Sequence, residues 1–203
     1  MVQLSAEPLG GRKSEPMKTP RGSQTTALAA VFLAISAAAQ VNGDPWRARF
    51  EACKTAFGSR DLNAAETRCK EALEAARAES PPGLRTALSL NSLGTVYVEQ
   101  GRLTEARKPF YQALEIFELE AAGPNEHFIG LLTNVGDLEL RESNGERAEA
   151  AFRRAAELAS QLEPQMPALI ARANRGVVAS LCQQGKLQEA DALGKKFGVS
   201  CAQ

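Results

Sequence analysis

From Leu90 to Leu114 the chain carries two apolar stripes separated by one break. Leu90, Leu93, Gly94 and Tyr97 fall at helical spacing, Gly101 interrupts the run, and Ala106, Phe110, Ala113 and Leu114 resume it. Apolar residues at i, i+3, i+4 and i+7 put one stripe on each of two helices, and the small residues let the two backbones approach. This predicts a helical hairpin. The pattern returns at a fixed period: Ala65, Ala106, Ala148 and Ala190 recur at intervals of 41, 42 and 42 residues. Four residues on, the bulky position reads Cys69, Phe110, Phe152 and Gly194, followed by Ala72, Ala113, Ala155 and Phe197. On the first helix of each hairpin the small position reads Cys53, Gly94, Gly136 and Val178.

Four hairpins are therefore expected, in units of about 45–80, 84–122, 126–163 and 168–198. Breakers fall once per unit, at Ser80-Pro81-Pro82-Gly83, at Gly123-Pro124-Asn125, and at Pro164 with Pro167. Consecutive prolines cannot continue a helix. Asp44 before Pro45 is a good helix start, with Asp44 as N-cap and Pro45 in the first turn. Thr104 followed by Glu105 reads as another N-cap, which places Pro109 in an early turn, where a proline is cheap. The fold class is all-α, and nothing suggests a sheet.

The run L-x-x-L-G-x-x-Y, then G, then A-x-x-x-F-x-x-A-L resembles the tetratricopeptide repeat (TPR), a helix-turn-helix unit that stacks into a solenoid. The resemblance covers Trp46 to Phe197. A period near 42 is similar to the long repeats of kinesin light chain and of many bacterial TPR proteins. It implies a right-handed α-solenoid whose terminal units are degenerate caps. The departures are Ala56 and Glu139 where Tyr97 stands, Val178 in place of the glycine, and Ser143 in place of Gly101 and Gly185. The family implies a scaffold that binds a protein, with no cofactor. Its groove is lined by the first helix of each hairpin, which here gives Arg47, Phe50 and Lys54, then Asn91 and Thr95, then Thr133, Asn134 and Asp137, then Arg172 and Arg175. Asparagines can bracket a peptide main chain, and arginines can hold carboxylates. The alternative is that these residues are only the wet side of the helices. Chaperone-binding members clamp a terminal carboxylate; Lys54, Asn91 and Asn134 do not fall in their order, so that activity is not carried over.

The first 39 residues change the picture. Met1 to Thr26 is polar and rich in Pro and Gly, without periodicity, and is expected to be disordered. Ala27 to Ala39 is free of charge. As a helix these residues rise about 20 Å against a hydrocarbon core of ~30 Å, so no stable membrane span is expected. A signal peptide starting at Met17 fits better: Lys18 and Arg21 form the basic region, Ala27 to Ile35 the apolar region, and Ala37-Ala38-Ala39 a cleavage site before Gln40. A buried apolar helix of the fold and an uncleaved anchor are the alternatives. The repeat domain is then 40–203, exported to a periplasm or secreted.

An exported chain with four cysteines favours disulfides. In a hairpin turning near Asp61, Cys53 and Cys69 are equidistant from the turn and face each other. A bridge there closes about 15 residues and adds ~3 kcal/mol on a chain-entropy estimate. Cys182 with Cys201 requires the tail after Gly198 to fold back. The competing reading is four buried thiols.

Composition removes most other functions. Of 203 residues 24 are basic and 24 acidic, so there is no basic footprint for nucleic acid. Removal of 1–39 takes four basic and two acidic residues and leaves the rest mildly acidic. His127, the single histidine, sits in a connector without partners for catalysis or a metal. No nucleophile elbow, zinc-helix motif or phosphate loop occurs. Glu139 with Glu142, and Glu146 with Glu149, read as solvated faces with local ion pairs. The reading is a non-catalytic adaptor that binds a protein partner, peptide or helix. The alternatives are an architectural solenoid that assembles with itself in an envelope complex, and an accessory lobe of an enzyme on another chain. The oligomeric state is not legible.

Overall fold

The structure, a computed structural model, describes residues 44–78, 81–120 and 123–201. The apolar segment Ala27–Ala39 and its cleavage site lie outside the described residues, so neither the signal peptide nor its alternatives is tested. Eight helices are described, in antiparallel pairs: α1 (Pro45–Gly58) with α2 (Leu62–Arg77), α3 (Leu84–Glu99) with α4 (Leu103–Glu120), α5 (Glu126–Arg141) with α6 (Gly145–Ser160), and α7 (Pro167–Gln183) with α8 (Leu187–Phe197). No strand occurs among the described residues. Each second helix also packs on the first helix of the next pair, so the hairpins stack in chain order. Successive first helices touch, whereas successive second helices do not. The first helices α1, α3, α5 and α7 therefore form the inner face of the stack, and the second helices fan outwards.

The helix starts follow the sequence. Asp44 Oδ1 accepts from Trp46 N (3.1 Å) and Arg47 N (3.3 Å). Asn125 Oδ1 accepts from His127 N (2.8 Å) and Phe128 N (3.3 Å). Both satisfy N–H groups that the first turn leaves without partners. Helix α4 departs from expectation. Its first backbone bond is to Arg102 O (from Ala106 N, 3.1 Å), about two turns before Pro109. Thr104 thus lies inside the helix rather than capping it, and Pro109 is a buried interior residue.

All four hairpins turn through the same hydrogen-bonded closure. Arg60, Gly101, Ser143 and Gly185, spaced like the repeat itself, have φ of 65°, 76°, 63° and 74°. The next residue's N–H reaches back five residues: Asp61 to Ala56 O, Arg102 to Tyr97 O, Asn144 to Glu139 O and Lys186 to Leu181 O, at 2.8–3.2 Å. This is the Schellman ending, in which one left-handed residue lets two last-turn carbonyls find donors.

Within each hairpin the close approach is made at one pair of repeat positions. In the second and third units Phe110 and Phe152, each 1% exposed, lie over Gly94 and Gly136. A β-carbon on either glycine would fall 2.6 Å from the ring. In the first unit the same two positions hold Cys53 and Cys69, with sulfurs at disulfide distance (2.02 Å) and α-carbons 4.8 Å apart. In the fourth unit the pair is Val178 and Gly194, and the slot left by the missing aromatic is filled by the chain itself. Gly198 (φ 67°) reverses the tail, Val199 N donates to Gly194 O (3.1 Å), and the Val199 carbonyl occupies the place a Gly194 β-carbon would take. The Cys201 sulfur reaches disulfide distance of Cys182 (1.94 Å). Both cysteine pairs are those read from the sequence.

Candidate functional site: the inner face of the helical stack

Successive first helices are offset by 43 residues rather than by the repeat's 41 or 42. Trp46 Nε1 donates to Ser89 Oγ (2.9 Å), Asn134 Nδ2 to Asn91 Oδ1 (2.9 Å), and Arg141 Nη1 to Val98 O (3.2 Å), all across that interval. Gln183 Nε2 donates to Leu140 O (3.0 Å) across the same interval. One residue is about 100° around a helix, so this offset decides which side chains meet.

The offset brings part of the expected groove together. Asn134 Nδ2 also donates to Thr95 Oγ1 (3.3 Å), and Arg172 Nη2 donates to Asn134 Oδ1 (3.1 Å) and Asp137 Oδ2 (3.4 Å). Asn91, Thr95, Asn134, Asp137 and Arg172 thus form one polar ladder across α3, α5 and α7. Burial raises the Asp137 carboxyl above its ordinary range, with the Arg172 guanidinium opposing the shift. At the α1 end the ladder meets a cavity of about 190 Å³ lined by Lys54, Phe57, Asn91 and Thr95, with the Cys53–Cys69 pair in its wall. Phe50 stacks on Trp46 (4.9 Å between centroids) and lies under Lys54 Nζ (5.9 Å). Arg47 and Arg175 are exposed.

Thr133 is a correction. It is the repeat equivalent of Asn91, yet it is 1% exposed and its hydroxyl donates to Gly130 O (2.7 Å), so it offers nothing to a ligand. The 43-residue offset puts Asn134, not Thr133, opposite Asn91.

Glu139 is a second correction. It is fully buried rather than solvated. Its carboxylate accepts from Arg107 Nη1 (2.9 Å), Tyr111 Oη (2.7 Å) and Asn144 Nδ2 (2.8 Å), and Arg107 also pairs with Glu142. Burial works against the charged form, but the hydrogen bonds from Tyr111, Arg107 and Asn144 win and hold the carboxyl below its usual range. This cluster joins α4 to α5 on the side away from the ladder, and its equivalents join the other units. Between units one and two Gln100 Nε2 (3.1 Å) and Arg102 Nη1 (2.6 Å) donate to Glu66. Between units three and four Gln184 Nε2 (2.8 Å) and Lys186 Nζ (3.2 Å) donate to Glu149. The sequence held a signal for these clusters: Glu66, Arg107 and Glu149 occupy one repeat position, polar in every unit.

His127 is exposed and 3.8 Å from Glu126. Among the described residues no group of three or more His, Cys, Asp or Glu is placed to hold a metal, and no helix is long and apolar enough to cross a membrane.

A stack of antiparallel hairpins with a polar inner face is an α-solenoid of the helical-repeat class. Residues 54–118 match the family model described as tetratricopeptide repeat. That match spans almost all of the second hairpin and part of the first, and the stacked hairpins continue beyond it towards the C-terminus. The chain's fold is similar to the crystal structure of BtubC (BKLC) from P. vanneervenii, at 20% identity and a TM-score of 0.70, covering 78% of this chain and 65% of that one. It is also similar to the apo form of RapI, at 14% identity and a TM-score of 0.68, covering 85% and 62%. A putative kinesin light chain of Podosopora anserina with nearly identical TPR-like repeats matches at 14% identity and a TM-score of 0.66, covering 77% and 75%. The chain therefore spans 65% and 62% of the lengths of the first two. A search of curated proteins by sequence finds no match.

Proposed function

We propose that this protein is a non-catalytic scaffold that holds a peptide or a partner helix against its inner face. The observation that carries the reading is the ladder from Asn91 through Asn134 to Arg172. It is a continuous row of amide and guanidinium groups from three units, half-buried or exposed, beside a cavity large enough for one side chain of a ligand. Such groups match the alternating donors and acceptors of an extended main chain, and Arg47, Lys54, Arg172 and Arg175 give the face a basic bias.

The ends of the stack favour this over the architectural alternative. Where units two and three present Leu90 with Tyr97 and Leu132 with Glu139 to the preceding hairpin, the first unit has Arg49 and Ala56, so among the described residues its outer end lacks the buried leucine and the larger partner through which units stack. The other end is covered by the returning tail, with Val199 and Cys201 packed on the last apolar cluster. Two cysteine pairs at disulfide distance support an oxidising, exported setting, in a periplasm or outside the cell, for the domain 40–203.

The test is peptide selection from a random library on immobilised residues 40–203, followed by calorimetric titration of the selected sequences. Asn134→Ala and Arg172→Ala are each expected to weaken binding about tenfold, the equivalent of one or two hydrogen bonds at ~1 kcal/mol each. Lys108→Ala, on the outer face, leaves affinity unchanged. Selected peptides that bind all three variants as tightly as the wild type contradict the assignment.

A further inference from the structure

The two cysteine pairs are placed differently, and the difference has a consequence for the last hairpin. Cys53 and Cys69 are 1% and 0% exposed, within the first hairpin and under the second. Cys182 and Cys201 are both half-buried at the end of the stack. Thiol–disulfide exchange needs a thiolate to reach a sulfur in line, so access decides which bridge a dithiol reductant opens under native conditions.

What the outer pair holds is also specific. Helix α8 has eleven residues against sixteen to eighteen in the other second helices, and its buried residues are only Ala190 and Gly194. The aromatic that anchors α4 and α6 is absent, and its slot at Gly194 is occupied by the Val199 carbonyl. That tail is fixed by the Val199–Gly194 backbone bond and by the link from Cys201 to Cys182 on α7. The packing of α8 therefore depends on a strap, and the strap on one accessible bridge.

We propose that Cys182–Cys201 is a redox-operated latch: its reduction releases residues 198–201, empties the Gly194 slot and loosens α8 from α7, while the first three hairpins stay folded. The exchange is balanced. One thiolate of a dithiol attacks a sulfur of the bridge to give a mixed disulfide, and its second thiol displaces the protein sulfur. Two cysteine thiols are left, and the reductant departs as a disulfide. The proposal rests on both pairs being bonded in the exported protein.

The intact mass of the untreated protein comes first; four free thiols there overturn both the latch and the oxidising setting. Next the native protein is treated with dithiothreitol for graded times, trapped with N-ethylmaleimide, and each cysteine is quantified by peptide mass spectrometry. Cys182 and Cys201 are expected to be labelled at least tenfold faster than Cys53 and Cys69. Hydrogen exchange on the same samples is expected to speed up at least tenfold across α8 and to stay unchanged in α2 and α4. Cys201→Ser, without reductant, reproduces the α8 change. Equal labelling of the two pairs, or an α8 that keeps its protection with the outer bridge open, overturns the latch.

Discussion

Glu139 stands in the third unit where Tyr97 stands in the second, and the two solve the same problem by different chemistry. Tyr97 fills the space with a ring under the Arg102 guanidinium, 4.4 Å from its centroid. Glu139 fills it with a charge made tolerable by three donors. Removing one partner of a buried ion pair leaves the other uncompensated, so Glu139→Ala is expected to cost about 2–4 kcal/mol in chemical denaturation, and Tyr111→Phe about 1 kcal/mol. The turns offer the opposite change. Arg60 and Ser143 adopt the left-handed conformation that glycine takes in the other two hairpins. Arg60→Gly and Ser143→Gly should each raise stability by about 0.5–1 kcal/mol, read from the same denaturation curves, because an L side chain pays to sit there. Serine at 143 was visible in the sequence as a departure; that it takes the glycine conformation was not, because the hydrogen-bonded closure imposes it.

At the scale of helices, the hairpin spacing and most boundaries were legible because an alanine recurs wherever two backbones must touch. The register between neighbouring units was not. The repeat interval is 41 or 42 while the packed interval is 43, which is why Asn134 reaches Asn91 and Thr133 turns inwards. Nor did any pattern show that α4 starts early enough to enclose Pro109. The close-packed glycines give a paired test. Gly136→Ala drives a methyl into Phe152 and should cost about 1–3 kcal/mol. Gly130→Ala, in the same helix with open space around it, should gain about 0.5–1 kcal/mol through helix propensity. The polar clusters between units add a pH dependence. Glu66, chiefly through Lys70 and then Gln100 and Arg102, is held at about 2. Glu149 also sits at about 2: burial opposes its charge, and Gln184, Arg153 and Lys186 overcome it. Both values lie below the ordinary 4.5, so the folded chain binds protons more weakly than the unfolded one. Their contribution is complete above about pH 5 and is lost as pH falls towards 2. Urea midpoints at pH 7, 4 and 3 should decline in that order, and Glu66→Gln with Glu149→Gln should flatten the decline.

At the scale of the molecule, the returning tail packs on the last hairpin, and the inner face carries polar groups linked across three units. The balanced charge argued only against nucleic acid; the protein ligand was implied by the repeat resemblance and not by composition. The ladder itself could be anticipated as a set of residues but not as a connected row, since connection depends on the packed offset. Light scattering on residues 40–203 is expected to give a monomer at micromolar concentration.

The most direct measurement is a nuclear magnetic resonance titration of the labelled protein with a library-selected peptide, following the side-chain amide signals of Asn91 and Asn134 and the guanidinium signal of Arg172. These signals are expected to shift together and saturate at one equivalent, with the outer helices α2, α4 and α6 unmoved. A peptide that binds while those three side chains stay silent and the outer helices respond would contradict the assignment of the inner face.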